Sequence, residues 1–372
     1  MHGHEFVRVT PKSLLFAGGN QPARRDLGIS SIAAQDSVVP VPVQAVDLIK
    51  TPFCTVVEFT RADVAPQSNV LLVAPLSGHF PVLLRDLIVG LLPSCRVYVT
   101  DWINVRHVPA EHGSFGLDTN ISYLLDIIRA LPPRLNVIAL CQGGVPALAA
   151  TALLAGDNDP RTPASLTLVG SPIDPLANLT GVAALLRSHP LSWFEANLIN
   201  PVPVTYAGAG RSVYPAHLHL VPLWIYLTRR VSEGGELQTK IFFDDGADPG
   251  RFPFLDLFTS IMDLDGRFLL ENTKAVFQEC LLREGALHFQ GARVDPAAIK
   301  QTALLTIEGG LDDIAAPGQT SAAHALCSSL PDRFHQAVVV PRSGHFSLFH
   351  GNTCRRQVLP VIRKFLKSRF QG

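Results

Sequence analysis

The sequence carries no excess of charge of either sign. Its 372 residues include 31 Lys+Arg and 31 Asp+Glu, a formal net charge of zero, with an isoelectric point near 7.2. No basic surplus points to nucleic acid, and no run of like charge suggests an electrostatic tail. Six cysteines, Cys54, Cys95, Cys141, Cys280, Cys327 and Cys354, include no C-x-x-C pair and no zinc-like spacing. In a chain of this size they read as reduced thiols in a cytoplasmic setting, with no metal site. The opening MHGHEFVRVTPKSLLFAGG lacks a basic segment followed by a sustained apolar stretch, so no secretory signal is expected. Repeats and low-complexity tracts are absent as well. What is plentiful is apolar material: 47% hydrophobic against 17% charged, with a mean hydropathy of +0.24. That composition excludes a disordered chain and supports a large core, as one domain with an insertion or as two modest domains.

One stretch approaches the length of a membrane span, IALCQGGVPALAATALLAG at 138–156. A crossing helix needs about 20 mostly apolar residues. Here Gln142-Gly143-Gly144 and Pro146 divide the run into two short pieces, which reads as strand, turn and helix with no membrane span.

The same alternation extends on both sides. CTVVEFTR, NVLLVAP (69–75), CRVYVTDW (95–102), LNVIALC (135–141) and SLTLVGSPID (165–174) read as strands. PVLLRDLIVGLL, NISYLLDIIRAL (120–131) and VPALAATALLA read as helices between them. Strands apolar throughout, joined through helices, predict a mostly parallel sheet covered on both faces, with its strand C-termini on one edge. Residues 1–50 read as an irregular segment, weakly strand-like at VVPVPVQAV, and 51–175 as the first part of the core. Residues 176–299 lose the alternation and are rich in helical, aromatic stretches such as LSWFEANLI and VYPAHLHLVPLWIYL, as expected of a cap inserted over that edge. Residues 300–372 resume the sheet with TALLTIEGG (302–310), helix SAAHALCSSL, strand QAVVVP (336–341) and a last helix, QVLPVIRKFLKS.

A strand, one reactive residue, small residues and a helix describe a nucleophile elbow, with Cys141 at its tip. The usual G-x-S-x-G reads Ala139-Leu-Cys141-Gln-Gly143 here, and no G-x-S-x-G occurs elsewhere. A thiol nucleophile needs a base, and the base needs an orienting acid. Asp312 and Asp313 follow strand TALLTIE, and His345 follows strand QAVVVP, so acid and base reach the same sheet edge as Cys141 in the order nucleophile, acid, histidine. Backbone N–H groups of Gln142 and of Leu76, in the turn after NVLLVAP, would form an oxyanion hole. Other candidates are weaker. Gly208-Ala-Gly210 is too short for a dinucleotide fingerprint and follows no strand, so no cofactor is expected. His217-Leu-His219 could bind a metal from a strand, but a third ligand is missing. Asp101-Trp102 either lines the site or closes a turn.

These residues sit in blocks that resemble the intracellular poly(3-hydroxyalkanoate) depolymerases and, more distantly, the polyhydroxyalkanoate synthases. The blocks are APLSGHF…LLRD (74–86), VYVTDWINVRHVP (97–109), ALCQGGVPALAA (139–150), LTLVGSPID (166–174), GAGRSVYP (208–215), VDPAAIKQTALLTIEGGLDDI (294–314), GQTSAAHALC (318–327) and SGHFSLFHG (343–351). The resemblance covers roughly residues 65–370. It implies an α/β-hydrolase fold with a large, mainly helical cap, and a cysteine nucleophile, Cys141, with acid Asp312 and base His345. The family's DDI segment favours Asp312, whereas a G-x-x-D-x-x-x-P reading through Gly310 and Pro317 favours Asp313. The implied activity is hydrolysis of poly(3-hydroxybutyrate), on a polyester chain or granule surface in the cytoplasm. The Gly143-Gly144 pair looks more like the synthases, which keeps a polymerising acyltransferase on 3-hydroxyacyl-CoA as the second reading. A granule-binding protein without turnover is the third. A homo-oligomer is compatible with the sequence but nothing in it requires one.

Overall fold

The computed structural model describes residues 22–33, 40–63 and 65–368, so the reading of the opening residues lies outside the described ones. Fourteen strands are described. Those before the insertion are β1 (Ser31–Ile32), β2 (Val41–Lys50), β3 (Cys54–Arg61), β4 (Ser68–Val73), β5 (Cys95–Trp102), β6 (Asn136–Leu140) and β7 (Ser165–Val169). Short strands follow: β8 (Asn200–Pro201), β9 (Ser212–Tyr214) and β10 (Leu264–Asp265) form a small sheet, and β11 (His288–Phe289) and β12 (Ala292–Arg293) a hairpin. The main sheet resumes with β13 (Ala303–Gly309) and β14 (His335–Val340). Its order is β1-β2-β3-β5-β4-β6-β7-β13-β14. From β5 to β14 every neighbouring pair is parallel, while β1, β2 and β3 run antiparallel.

β6 and β7 are buried along their whole length, which requires helices on both faces. Helix Leu117–Ala130 packs on Gly144–Gly156, and Arg85–Leu91 packs on Leu359–Lys367. Helix Gly144–Gly156 is apolar nearly all round because it is buried nearly all round. Pro146 sits in its first turn, where a missing N–H costs least. Among the described residues, no helix is long and apolar enough to cross a membrane.

Two expectations need correction. Within the segment read as irregular, Val41–Lys50 is a regular ten-residue strand hydrogen-bonded to β3. Pro40 and Pro42 contribute no N–H and most of its side chains are exposed, so it lacks the apolar signature of its neighbours. It tolerates Pro42 because the ladder to β3 begins only at Val43, opposite Arg61, so the missing N–H removes no bond from it. The helix expected at SAAHALCSSL shrinks to one turn, Ala323–Leu326. Its upstream backbone donors are taken by a buried carboxylate: Glu308 Oε1 accepts from Gly318 N (2.9 Å), Thr320 N (2.8 Å) and Ser321 N (2.9 Å). Thr320 Oγ1 in turn accepts from Ser171 N (2.8 Å) and donates to Ser171 O (2.9 Å).

The chain between β7 and β13 is fastened to the loop after β5 by two buried ion pairs. Arg106 makes a two-pronged pair with Asp263 (2.9 and 2.8 Å). Arg211 meets Asp265 (3.2 Å) and the carbonyls of Val108 and Pro109. Gly208, from the Gly208-Ala-Gly210 stretch, lies against this loop. A β-carbon there would be 2.8 Å from the carbonyls of Val105 and Arg106.

The Glu308 cluster predicts a clear stability effect. Glu308→Ala leaves three backbone N–H groups without their acceptor and lowers the unfolding free energy by about 3 kcal/mol or more. Lys274→Ala, at an exposed ion pair with Glu279, changes it by less than about 0.5 kcal/mol. Urea unfolding followed by circular dichroism reads both; equal effects would contradict the assignment.

Candidate active site

β6 ends at Leu140 and the chain turns at once into helix Gly144–Gly156, through a single turn Cys141–Gly143. Cys141 takes a positive φ of 49°, a conformation that is strained for any residue with a β-carbon. The turn needs small neighbours for space. A β-carbon on Gly144 would collide with the Ser171 hydroxyl, and one on Gly143 would sit 3.1 Å from the Val73 carbonyl and 3.4 Å from that of Ala74. The elbow therefore lies against the end of β4, beside the loop that carries Leu76. That loop is held by Trp102 Nε1, which donates to Ala74 O (2.9 Å), and by Thr100 Oγ1, which accepts from Ala74 N (2.9 Å). Trp102 thus supports the loop. Asp101, also within β5, pairs with Arg24 (2.5 Å), and burial pushes its carboxyl up to about 6.

Of the residues singled out from sequence, Cys141, Asp312 and His345 come together. His345 Nδ1 lies 2.7 Å from Asp312 Oδ2; an ionised carboxylate only accepts, so Nδ1 donates. The Cys141 sulfur lies near enough to the His345 ring to act on its charge. All three are enclosed, with 7%, 4% and 3% exposure for Cys141, Asp312 and His345. Burial alone would lower the imidazole pKa, but the Asp312 carboxylate and the Cys141 sulfur outweigh it and hold the pKa well above the usual histidine range. The other Asp312 oxygen accepts from Ile314 N and Ala315 N, both at 2.9 Å. Asp313 faces the insertion instead. It accepts from Tyr226 Oη (2.8 Å) and lies 3.6 Å from both Arg229 and Arg230. The histidine's carboxylate partner is Asp312.

Above this cluster sits a ring-lined roof that sequence reasoning missed. Phe346 and Phe349 pack on His345 with centroids 5.7 and 5.1 Å away. His79, from the Leu76 loop, donates through Nε2 to Phe258 O (2.9 Å) and packs on Phe346 (6.1 Å). His219 packs on Tyr214 (5.2 Å) and fills the space beside Gly78. Burial pushes His79 down to about 4 and His219 to about 3, so both are neutral near pH 7. His219 is on helix Ala216–Ser232, not on a strand, so His217 two positions earlier projects elsewhere and is exposed. Among the described residues no three His, Cys, Asp or Glu side chains gather as a metal site. His219 was read only as half of a possible metal pair, and Phe346 and Phe349 only as part of SGHFSLFHG, so their grouping with His79 around His345 was not read from the sequence.

The remaining five cysteines are free and buried. Burial raises their thiols, that of Cys327 up to about 12. A thiol beside an imidazole that a carboxylate orients is chemically suited to attack a carbonyl carbon.

Residues 170–369 match the family model described as "PHB de-polymerase C-terminus". The chain belongs to that family. Membership of this depolymerase family makes the protein a hydrolase of ester bonds. The matched stretch contains Asp312 and His345 but not Cys141. No curated protein sequence matches the chain. Among solved structures, the epoxide hydrolase VrEH1 from Vigna radiata is 13% identical with a TM-score of 0.54, covering 88% of this chain and 98% of its own. A thermophilic esterase from Thermogutta terrifontis is 14% identical with a TM-score of 0.50, over 88% of this chain and 99% of its own. A bromoperoxidase from Bacillus anthracis is 11% identical with a TM-score of 0.50, over 84% and 96%. Likeness at these identities establishes the α/β-hydrolase fold of the depolymerase family member and nothing about its substrate.

Two predictions follow from the geometry. Asp312→Asn lowers kcat on a soluble ester by about 10³-fold or more, as expected when an orienting carboxylate is lost, while Asp313→Asn stays within about tenfold; the reverse order would reassign the acid. The second concerns acid stability. His79 and His219 have depressed pKa values, so between about pH 6.5 and 4 the unfolded chain binds protons that the folded one refuses. Their contribution to stability is therefore present above about pH 6.5 and lost as pH falls through that window. His345, with a raised pKa, contributes oppositely: its share is complete below about 6.5 and is lost as pH rises through its folded value. His219→Phe flattens the acid limb of unfolding free energy against pH, and an unchanged slope would show that this histidine is not buried neutral.

Proposed function

We propose that the protein depolymerises poly(3-hydroxybutyrate)-type polyesters through a thioester on Cys141. The observation that supports this is His345, hydrogen-bonded to the Asp312 carboxylate with the Cys141 sulfur beside it, in a depolymerase-family chain. Nδ1 is committed to Asp312, which leaves Nε2 to exchange a proton with sulfur.

In the proposed reaction the Cys141 proton already rests on Nε2 of His345, and the sulfur attacks the ester carbonyl carbon as a thiolate. The oxyanion is stabilised by the backbone N–H groups of Gln142 and Leu76, which come from the ends of adjacent strands β6 and β4. The intermediate collapses, the carbon–oxygen ester bond breaks, and the leaving alkoxide takes the proton from His345. Water then gives its proton to Nε2 and attacks the thioester, and Cys141 leaves with that proton restored while the free hydroxy acid end departs. Residues 176–299 act as a cap whose apolar and aromatic surface receives the polyester chain, and the setting is the cytoplasm, at the granule surface. Neutral His79 and His219 suit this role, since they offer polar contacts without attracting an ionic substrate.

The second reading, a polymerising acyltransferase, uses the same three residues and differs only in which hydroxyl removes the acyl group. The Gly143-Gly144 pair is what favours it.

Incubation with amorphous poly(3-hydroxybutyrate) tests the reading. Soluble 3-hydroxybutyrate or its oligomers are expected from the parent, and Cys141→Ala is expected to lose about 10³-fold or more of that rate. Undiminished hydrolysis by Cys141→Ala would falsify the mechanism. CoA release from 3-hydroxybutyryl-CoA with polymer formation would put the acyltransferase first.

A further inference from the structure

Glu236 opens helix Glu236–Phe243 in the insertion, within a polar stretch, GGELQTK, that reads as ordinary solvent-facing sequence. Its carboxylate turns inward. Oε2 accepts from Gly344 N and Oε1 from Ser347 N (2.9 Å). These two N–H groups bracket His345 along the chain, one residue before it and two after. His345 begins the short turn Phe346–Leu348, and the first N–H groups of any such turn lack partners within it. The His345 side chain cannot supply one, because it is committed to Asp312. Gly344 keeps the place clear for the carboxylate, since a β-carbon there would lie 2.5 Å from Oε2. Burial raises the Glu236 pKa, with Lys240, Ser347 and Gly344 acting against that rise.

The neighbouring insertion helix makes a parallel attachment. From helix Ala216–Ser232, Tyr226 Oη donates to Asp313 at 2.8 Å and Arg230 lies 3.6 Å from the same carboxylate, one residue past Asp312. Both loops that deliver polar members of the cluster are therefore fixed by side chains of the insertion.

We propose that Glu236 is a positioning residue for His345, so that the insertion completes the base as well as covering the substrate. This rests on the reading of His345 as the base in the proposed function. A carboxylate spanning two N–H groups holds the loop backbone against rotation, and the imidazole keeps its bond to Asp312 while facing Cys141 only while that backbone stays put. A displacement on the order of 1 Å costs about 10²-fold in rate.

Glu236→Gln keeps the side chain's size but replaces one acceptor with a donor that faces an N–H. On a soluble 3-hydroxybutyrate ester, kcat is expected to fall about 10- to 100-fold with KM changed less than about threefold. The His345 titration, followed by NMR in protein labelled with ¹⁵N-histidine, is expected to move down toward the ordinary histidine range. Gly344→Ala, which displaces the carboxylate while leaving Glu236 in place, is expected to do the same and serves if the first variant folds poorly. A folded Glu236→Gln or Gly344→Ala protein that keeps the parent's kcat and His345 titration overturns the proposal. So does one that loses only thermal stability. A parent that turns over no ester, while its His345 titration still moves on Glu236→Gln, sinks the functional reading and leaves the positioning role standing.

Discussion

An imidazolium can be shut away from water only if every part of its charge is answered, because an uncompensated buried ion costs several kcal/mol. His345 is enclosed at 3% exposure, and the strand ends around it are arranged to meet this demand. Asp312 answers Nδ1, and the carboxylate's second oxygen is answered by two backbone N–H groups. Asp313, one residue on, would add a second negative charge beside the imidazole, but Tyr226 and Arg230 draw it toward the insertion. Glu236 brings another carboxylate near the same loop and is answered by the N–H groups on either side of the histidine. Each acidic group thus has its own set of donors, and a single carboxylate is left to set the charge of His345.

Parallel strands make this convergence possible. β4, β6, β13 and β14 point the same way, so the loops after them meet at one edge although they are far apart along the chain. The cost falls on the elbow. Cys141 is held at positive φ, a strain of about 1–3 kcal/mol, and the fully apolar helix behind it supplies the burial that maintains it. Ser171 fits where a Gly144 side chain would be, and Ser171 is itself tied to Thr320 and through it to the Glu308 carboxylate. The elbow's packing is thus linked to the strand that leads to Asp312.

What could be read from the residues divides along physical lines. β3 to β7, β13 and β14 are apolar runs bounded by turns, and their order alone places Cys141, the Asp312-Asp313 pair and His345 at one edge. Which aspartate meets the histidine was not legible, since both occupy one turn and the choice depends on how Asp312 accepts the N–H groups of Ile314 and Ala315. β2 was read only as weakly strand-like, at VVPVPVQAV, because its prolines and exposed side chains blur the apolar signature. The helix at SAAHALCSSL was overread because Ala and Leu favour helix, while the chain there closes mostly three-residue turns, Ala323 N, His324 N and Ala325 N donating to the carbonyls of Thr320, Ser321 and Ala322. Glu236 and Tyr226 left no trace in the sequence at all, because their partners lie about 90 to 110 residues away and nothing local marks either as buried.

The family match begins at the end of β7 and runs through the insertion to the last helix, and the internal bonds of the fold give that boundary a physical meaning. Glu236 reaches Gly344 and Ser347, Lys240 donates to the His350 carbonyl, Asp245 accepts from Asn352 N, and Tyr226 reaches Asp313. These bonds join the insertion to the two strand-end loops that follow it, so Asp312, His345 and the insertion form one connected unit within residues 170–369. Cys141 reaches that unit from outside, delivered beside His345 by β6 through its pairing with β7. A change in the insertion therefore bears first on His345, and a change in the sheet register bears first on Cys141. Under the proposed reaction this division would give separate control of the two partners in its proton transfer, one through an insertion bonded to the histidine loop and the other through a turn built on the sheet.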